Sequence, residues 1–159
     1  MTLHIKRTIS IVIILSFIFS FEIADAIGEN GIVVCSKKDA ADIGIEILKK
    51  GGNAVDAAVG VAFALAVTHP SAGNIGGGGF MVIRLSNGNV KTIDFREKAP
   101  ELSHRDMFLD DHGNVIPGKS RYTSLASGVP GTVYGLGYAH EKYGILPWDV
   151  LIYPSIKLA

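Results

Sequence analysis

Apolar and polar residues alternate with helical spacing at the start of the chain and with strand spacing in its middle. Ala40, Ile43, Ile47 and Leu48 share one helical face, with Asp42, Glu46 and Lys49 elsewhere, which predicts an amphipathic helix. Ser36 with Asp39 three residues later predicts its cap, and Gly51-Gly52 its left-handed stop. Asn53 with Asp56 predicts the start of a second helix. Residues 55–67 carry no charge beyond Asp56 and are apolar on every side. Such a helix needs cover all round, and a place against a sheet is expected. Upstream, residues 31–35 (Gly-Ile-Val-Val-Cys) read as a short buried strand. Downstream, residues 133–143 predict a helix ended by Gly144. Pro147 opens a last helix at Trp148, which Pro154 is expected to interrupt.

Between these helices lie two apolar, partly β-branched runs, residues 80–85 and 90–95, separated at Asn87-Gly88. That dipeptide predicts a two-residue type I′ hairpin. Ser86 then faces Asn89, Phe80 faces Phe95, and Gly79 faces Arg96. The run Gly76-Gly77-Gly78-Gly79 precedes the first strand. Glycine brings no side chain to pack and loses the most entropy on ordering, so four in succession imply close backbone approach or positive φ. An arginine beside them offers a planar fork of donors suited to a carboxylate, with Gly78 and Gly79 as candidate backbone contacts. The residues alone leave a second reading open, in which Arg96 pairs with Glu97, Asp94 or Glu101 at the surface.

Composition narrows the classes. The chain has 159 residues, about one domain, with 15 basic and 15 acidic side chains. That balance gives no field to attract nucleic acid or an acidic membrane. One cysteine, Cys35, excludes an internal disulfide and a cysteine-rich metal site; it is expected as a small buried residue. Residues 1–26 join a basic start (Lys6-Arg7), an apolar core and a small-x-small end (Ala24-Asp25-Ala26). This is the pattern of a secretory signal peptide, with an uncleaved anchor as the alternative. It predicts export to the periplasm or outside the cell, with 27–159 as the mature region.

Other motifs carry less. Asp110-Asp111 has no ligand-spaced partners and reads as a solvated turn, and no metal or cofactor is expected. His69, before Pro70, reads as a loop residue, and neither it nor His104 has a metal-ligand partner at useful spacing. Residues 113–120 match the phosphate-loop pattern literally. No buried strand precedes them, Pro117 disrupts the loop and no apolar helix follows, so the match is rejected.

The runs Gly51-Gly52-Asn53-Ala54-Val55-Asp56-Ala57-Ala58, Val67-Thr68-His69-Pro70, Ala72-Gly73-Asn74-Ile75-Gly76-Gly77-Gly78-Gly79-Phe80-Met81 and Asp94-Phe95-Arg96-Glu97-Lys98-Ala99-Pro100 resemble the start of the large subunit of gamma-glutamyltransferases. Met107-Phe108-Leu109 and Ala126-Ser127-Gly128-Val129-Pro130-Gly131-Thr132 extend the likeness in the same order, over about residues 31–159. The resemblance implies an α+β fold of the N-terminal-nucleophile hydrolase type, an αββα sandwich, here as its N-terminal part. It implies an exported precursor that cleaves itself into large and small subunits. The small subunit's new N-terminal threonine then attacks the gamma-glutamyl amide of glutathione and similar donors. Water or an amino acid takes the glutamyl group.

The resemblance places Arg96 on the substrate's α-carboxylate. Glu97, on the other face of the strand, is expected to be structural. It assigns no catalytic residue to this chain: Thr68, Thr92, Thr123 and Thr132 do not sit in the nucleophile's motif. It implies a chain inactive by itself, a truncated part of a longer enzyme, with the small subunit as missing partner. Bare strand edges and a partly covered 55–67 helix are then expected to make it unstable. The alternatives are a non-catalytic exported module binding amino-acid carboxylates, and a degenerate partner of a complete homologue.

Overall fold

The computed structural model describes residues 27–159. The expected signal peptide, 1–26, lies outside them. The chain divides into two units, Met1–Asn30 and Gly31–Ala159, and the fold described here is that of the second.

Helix α1 spans Lys38–Lys49 and buries Ala40, Ile43, Gly44 and Ile47 along one stripe. Its first residue follows an extended Lys37 with no side-chain cap, so Ser36 does not cap it as expected. Its end is as read: Gly51 takes φ of 90°. The Gly52 amide then donates to Ile47 O and the Gly51 amide to Leu48 O, both at 3.0 Å.

Helix α2, Ala54–Thr68, opens with a capping box. Asn53 Oδ1 accepts from the Val55 and Asp56 amides, and Asp56 Oδ2 accepts from the Asn53 amide at 2.9 Å. Asp56 is completely buried. Its carboxylate also takes the Ile145 amide (3.1 Å to Oδ1) and the Leu146 amide (3.4 Å to Oδ2), and Asn53 Nδ2 donates to Tyr143 O. One carboxylate thus joins the start of α2 to a loop some ninety residues away.

After a short helix α3, Lys119–Tyr122, that loop links helix α4, Thr132–Tyr143, to helix α5, Trp148–Leu158. Gly144 ends α4 as expected, whereas Pro154 lies inside α5 without ending it. Leu151 is fully buried three residues before the proline and Ser155 is buried just after it. Packing on both sides of the missing donor offsets its loss. Contrary to the expected sheet partner, α2 packs chiefly between α1 and α5, with α4 against it.

Strands β1 (Phe80–Arg84) and β2 (Val90–Asp94) form a two-stranded antiparallel sheet. The turn differs from expectation. Leu85 donates to Asn89 O, Gly88 donates to Leu85 O, and Gly88 has φ of 84°. This is a three-residue loop closed by a glycine bulge. The extra residue shifts the register by one: Phe80 faces Asp94, and Gly79 exchanges hydrogen bonds with Phe95 instead of facing Arg96. Met81, Ile83, Ile93 and Phe95 join the helical core, while Phe80, Val82 and Val90 remain exposed.

Residues 31–35 do not form the expected buried strand. They have no regular structure, Ile32 and Val34 are exposed, and Cys35 is half-buried, its thiol donating to Lys37 O at 3.1 Å. No strand in Gly31–Ala159 pairs with them. The architecture is α+β. Among the described residues it has one two-stranded sheet, consistent with an N-terminal part of a larger α+β fold.

Candidate functional site

Arg96 lies two residues beyond β2. Asp94 Oδ1 accepts the Arg96 amide at 3.0 Å, an Asx turn that ends the ladder. Phe95 is the last paired residue, donating to Gly79 O at 3.0 Å and accepting from the Gly79 amide at 3.4 Å. Lys98 then exchanges backbone bonds with Val129 at 3.2 and 2.8 Å. The segment from Phe95 to Lys98 is therefore held at both ends.

Glycines make this possible. A Cβ on Gly78 would lie 2.6–2.8 Å from Glu97 N, Phe95 O and Arg96 Cα. One on Gly131 would lie 2.0 Å from Phe95 O, and one on Gly135 2.1 Å from Phe95 Cγ. None of Gly76, Gly77, Gly78 and Gly79 has positive φ. Of the two reasons for such a run, close approach is the operative one at Gly77, Gly78 and Gly79; Gly78 meets the backbone around Arg96, Gly77 and Gly79 meet side chains, and a Cβ on Gly76 would meet nothing within 4 Å. Gly79's amide belongs to the ladder; Gly78 is the glycine that abuts Arg96.

A polar clamp holds the glycine loop in place. Asn74 Oδ1 accepts from the Gly77 amide at 2.9 Å and from the Thr132 hydroxyl at 2.6 Å. Gly77 O accepts from the Gly131 and Thr132 amides at 2.7 and 3.0 Å. The start of α4 has no side-chain cap of its own, so the glycine loop serves as one. Sequence reading gave Asn74 and Thr132 no role, because their link spans 58 residues. The available signal was a helix starting at Gly131-Thr132 without a local capping residue.

Arg96 is exposed and belongs to none of the ion pairs found among the described residues, which are Lys38–Asp42, Arg105–Asp106 and Lys142–Glu141. The surface pairing with Glu97, Asp94 or Glu101 is not made. Arg96 lines two concavities. One, of about 490 Å³, is completed by Val129, Pro130, Gly131 and Tyr134. The other, of about 720 Å³, is completed by Lys98, His104, Arg105, Phe108 and Ser127. Both volumes fall in the usual range for small-molecule sites. Glu97 turns toward the glycines: a Cβ on Gly77 would lie 3.0 Å from its Oε1, and one on Gly128 3.2 Å from its Cβ.

The remaining candidates have structural settings. Thr68 and Thr123 hydroxyls donate to carbonyls four residues back, and Thr132 is buried in the clamp. His69 caps α2, and its carbonyl accepts from the Ala72 and Gly73 amides. Asp110 forms the expected turn, accepting from the His112 and Asn114 amides. The Asn114 amide is the main reason its carboxyl lies below the ordinary range. Among the described residues no cluster of three histidine, cysteine or acidic side chains could hold a metal, and no helix is long and apolar enough to cross a membrane.

Arg96 thus stands exposed and outside every ion pair among the described residues, on backbone that glycines allow to pack closely, and comparison with known proteins defines the class. The family model described as Gamma-glutamyltranspeptidase matches residues 40–159. The chain is 56% identical over 131 residues to a glutathione hydrolase proenzyme of Escherichia coli, covering 82% of this chain and 23% of that protein. It is 49% identical over 137 residues to a glutathione hydrolase proenzyme of Bacillus subtilis, covering 84% and 23%. The crystal structure of Helicobacter pylori gamma-glutamyltranspeptidase superposes with a TM-score of 0.82 at 51% identity, covering 86% of this chain and 39% of that one. This chain belongs to the gamma-glutamyltranspeptidase family. It spans about a quarter of the length of these curated relatives.

Proposed function

We propose that this chain supplies the donor-carboxylate site of a gamma-glutamyl transferase and hydrolase acting on glutathione and related gamma-glutamyl amides. Arg96 binds the α-carboxylate of the glutamyl group through its guanidinium fork. The observation that carries this reading is an exposed guanidinium free of ion pairs, at the rim of two cavities, on backbone fixed by Gly78, Gly131 and Gly135. A preorganised group of this kind binds without ordering its support at the moment of contact.

In this reading the nucleophile is a threonine outside these 159 residues, at the head of a partner subunit that completes an αββα sandwich. Its hydroxyl attacks the gamma-glutamyl carbonyl with its own α-amine as base, and water or an acceptor amine then takes the acyl group. The chain is an exported protein, and alone it is inactive. Two measurements test this. Calorimetry with glutamate should show binding that Arg96→Ala abolishes. Incubation of the purified chain with a gamma-glutamyl anilide should release no aniline. Glutamate affinity unchanged by Arg96→Ala would end the reading of Arg96, and turnover by the chain alone would end the assignment of the nucleophile elsewhere.

A further inference from the structure

The larger cavity beside Arg96 carries further positive side chains, of which Lys98 also lines the smaller one. Arg96, Lys98 and Arg105 line it against one carboxylate, Glu97, with the His104 ring beside them. Arg105 is partly neutralised, its Nε standing 3.5 Å from Asp106 Oδ1. Lys98 belongs to none of the ion pairs among the described residues. Glu97, which also lines the cavity, has its carboxylate next to Gly77 and makes no ion pair with either cation.

Backbone geometry fixes the relation of the two free cations. Phe95 is paired to Gly79 and Lys98 is paired to Val129, so the intervening chain is held at both ends. Arg96 and Lys98 therefore present two cations, two residues apart on chain held at both ends, to one concavity.

We propose that Lys98, with Arg105 behind it, forms a second anion subsite. It takes the carboxylate of the amine half of the substrate, the part beyond the gamma-glutamyl bond. This rests on Arg96 holding the α-carboxylate. With that end fixed, the rest of the donor extends over the larger cavity, and a terminal carboxylate there meets the lysine ammonium. The same position serves the leaving amine and the entering one, so carboxylate-bearing amines are favoured on both sides of the reaction. The lysine is a flexible point charge and not a planar fork, which suits an anion whose distance varies with the length of the amine half.

The test uses the full chain, calorimetry and two probes. Glutathione carries a carboxylate at its far end, and glutamine has the same gamma-amide without one. Glutathione should bind roughly fivefold more tightly at low salt, a difference that 0.5 M salt removes. Lys98→Ala should erase the difference while leaving glutamine affinity unchanged, Lys98→Arg should restore it, and Arg96→Ala should abolish both ligands. Equal affinities for the two probes, or a difference that survives Lys98→Ala, would overturn the second subsite alone. Absence of binding by either probe to the wild-type chain would overturn the Arg96 reading and this subsite with it.

Discussion

Two sets of glycines in this chain do opposite jobs. Gly51, Gly88, Gly113 and Gly118 have φ between 77° and 90°, and around Gly51, Gly88 and Gly113 a Cβ would meet nothing within 4 Å. They are conformational glycines that turn the chain where there is room for a side chain. Gly78, Gly131 and Gly135 have ordinary φ, and a Cβ on any of them would strike Phe95 or its neighbours. They are steric glycines that let three segments meet at one point. The first set ends a helix and shapes loops; the second holds Arg96. Glycine content alone does not separate the two, although their consequences for function differ.

The sharpest break of this comparison is Gly131→Ala. Its Cβ would collide with the Phe95 carbonyl, which cannot swing aside as a side chain can, and should cost about 3 kcal/mol, read as a lowered urea midpoint. Glutamate affinity should fall with it, because the displaced backbone carries Arg96. Gly78→Ala should cost about 2 kcal/mol by the same measurement, with its effect on binding larger than its effect on stability suggests. Gly51→Ala should cost about 1 kcal/mol, Gly51→Asn should recover part of that, and neither should change ligand affinity. Gly76→Ala should be near neutral, since its φ is ordinary and no atom lies near a Cβ there. A loss at Gly76 equal to that at Gly131 would dissolve the distinction.

The smallest effect concerns the Asp110 turn, which contains the conformational Gly113. Its carboxyl is held below the ordinary range by the Asn114 amide. Whatever that turn contributes is fully present above the ordinary carboxylate pKa and is lost as pH falls through the lowered folded value. A pH titration by NMR should show the Asn114 and His112 amides shifting together in that acidic window, with the amides around Gly131 unmoved.

Local features were legible and long-range ones were not. The stripe of α1, the stop at Gly51 and the Asn53–Asp56 box are written within a few residues of each other, and the structure has them as read. The hairpin was legible but its register was not, since Asn-Gly also fits a three-residue loop with a glycine bulge. Residues 31–35 have the composition of a strand, but a strand also needs a neighbour to pair with, and composition does not supply one. Pro154 was read as a break because local propensity outweighed the packing of Leu151 and Ser155, which only the fold reveals. At the site, Arg96 stood out at a strand end. The Asn74–Thr132 clamp and the collision of Gly131 with Phe95 join residues too distant in sequence for any local pattern.

The carboxylate of Asp56 sets an order of events during synthesis. Helices α1 and α2 leave the ribosome first and can fold back on each other as a hairpin. The buried acid at the start of α2 stays without two of its donors until Ile145 and Leu146 have emerged. Until then burial of that charge is disfavoured, so the early half remains loosely associated and open to water. Closure of the α4–α5 loop is then the step that commits the chain, and a nascent polypeptide stalled before it should be far more easily proteolysed than one stalled just after.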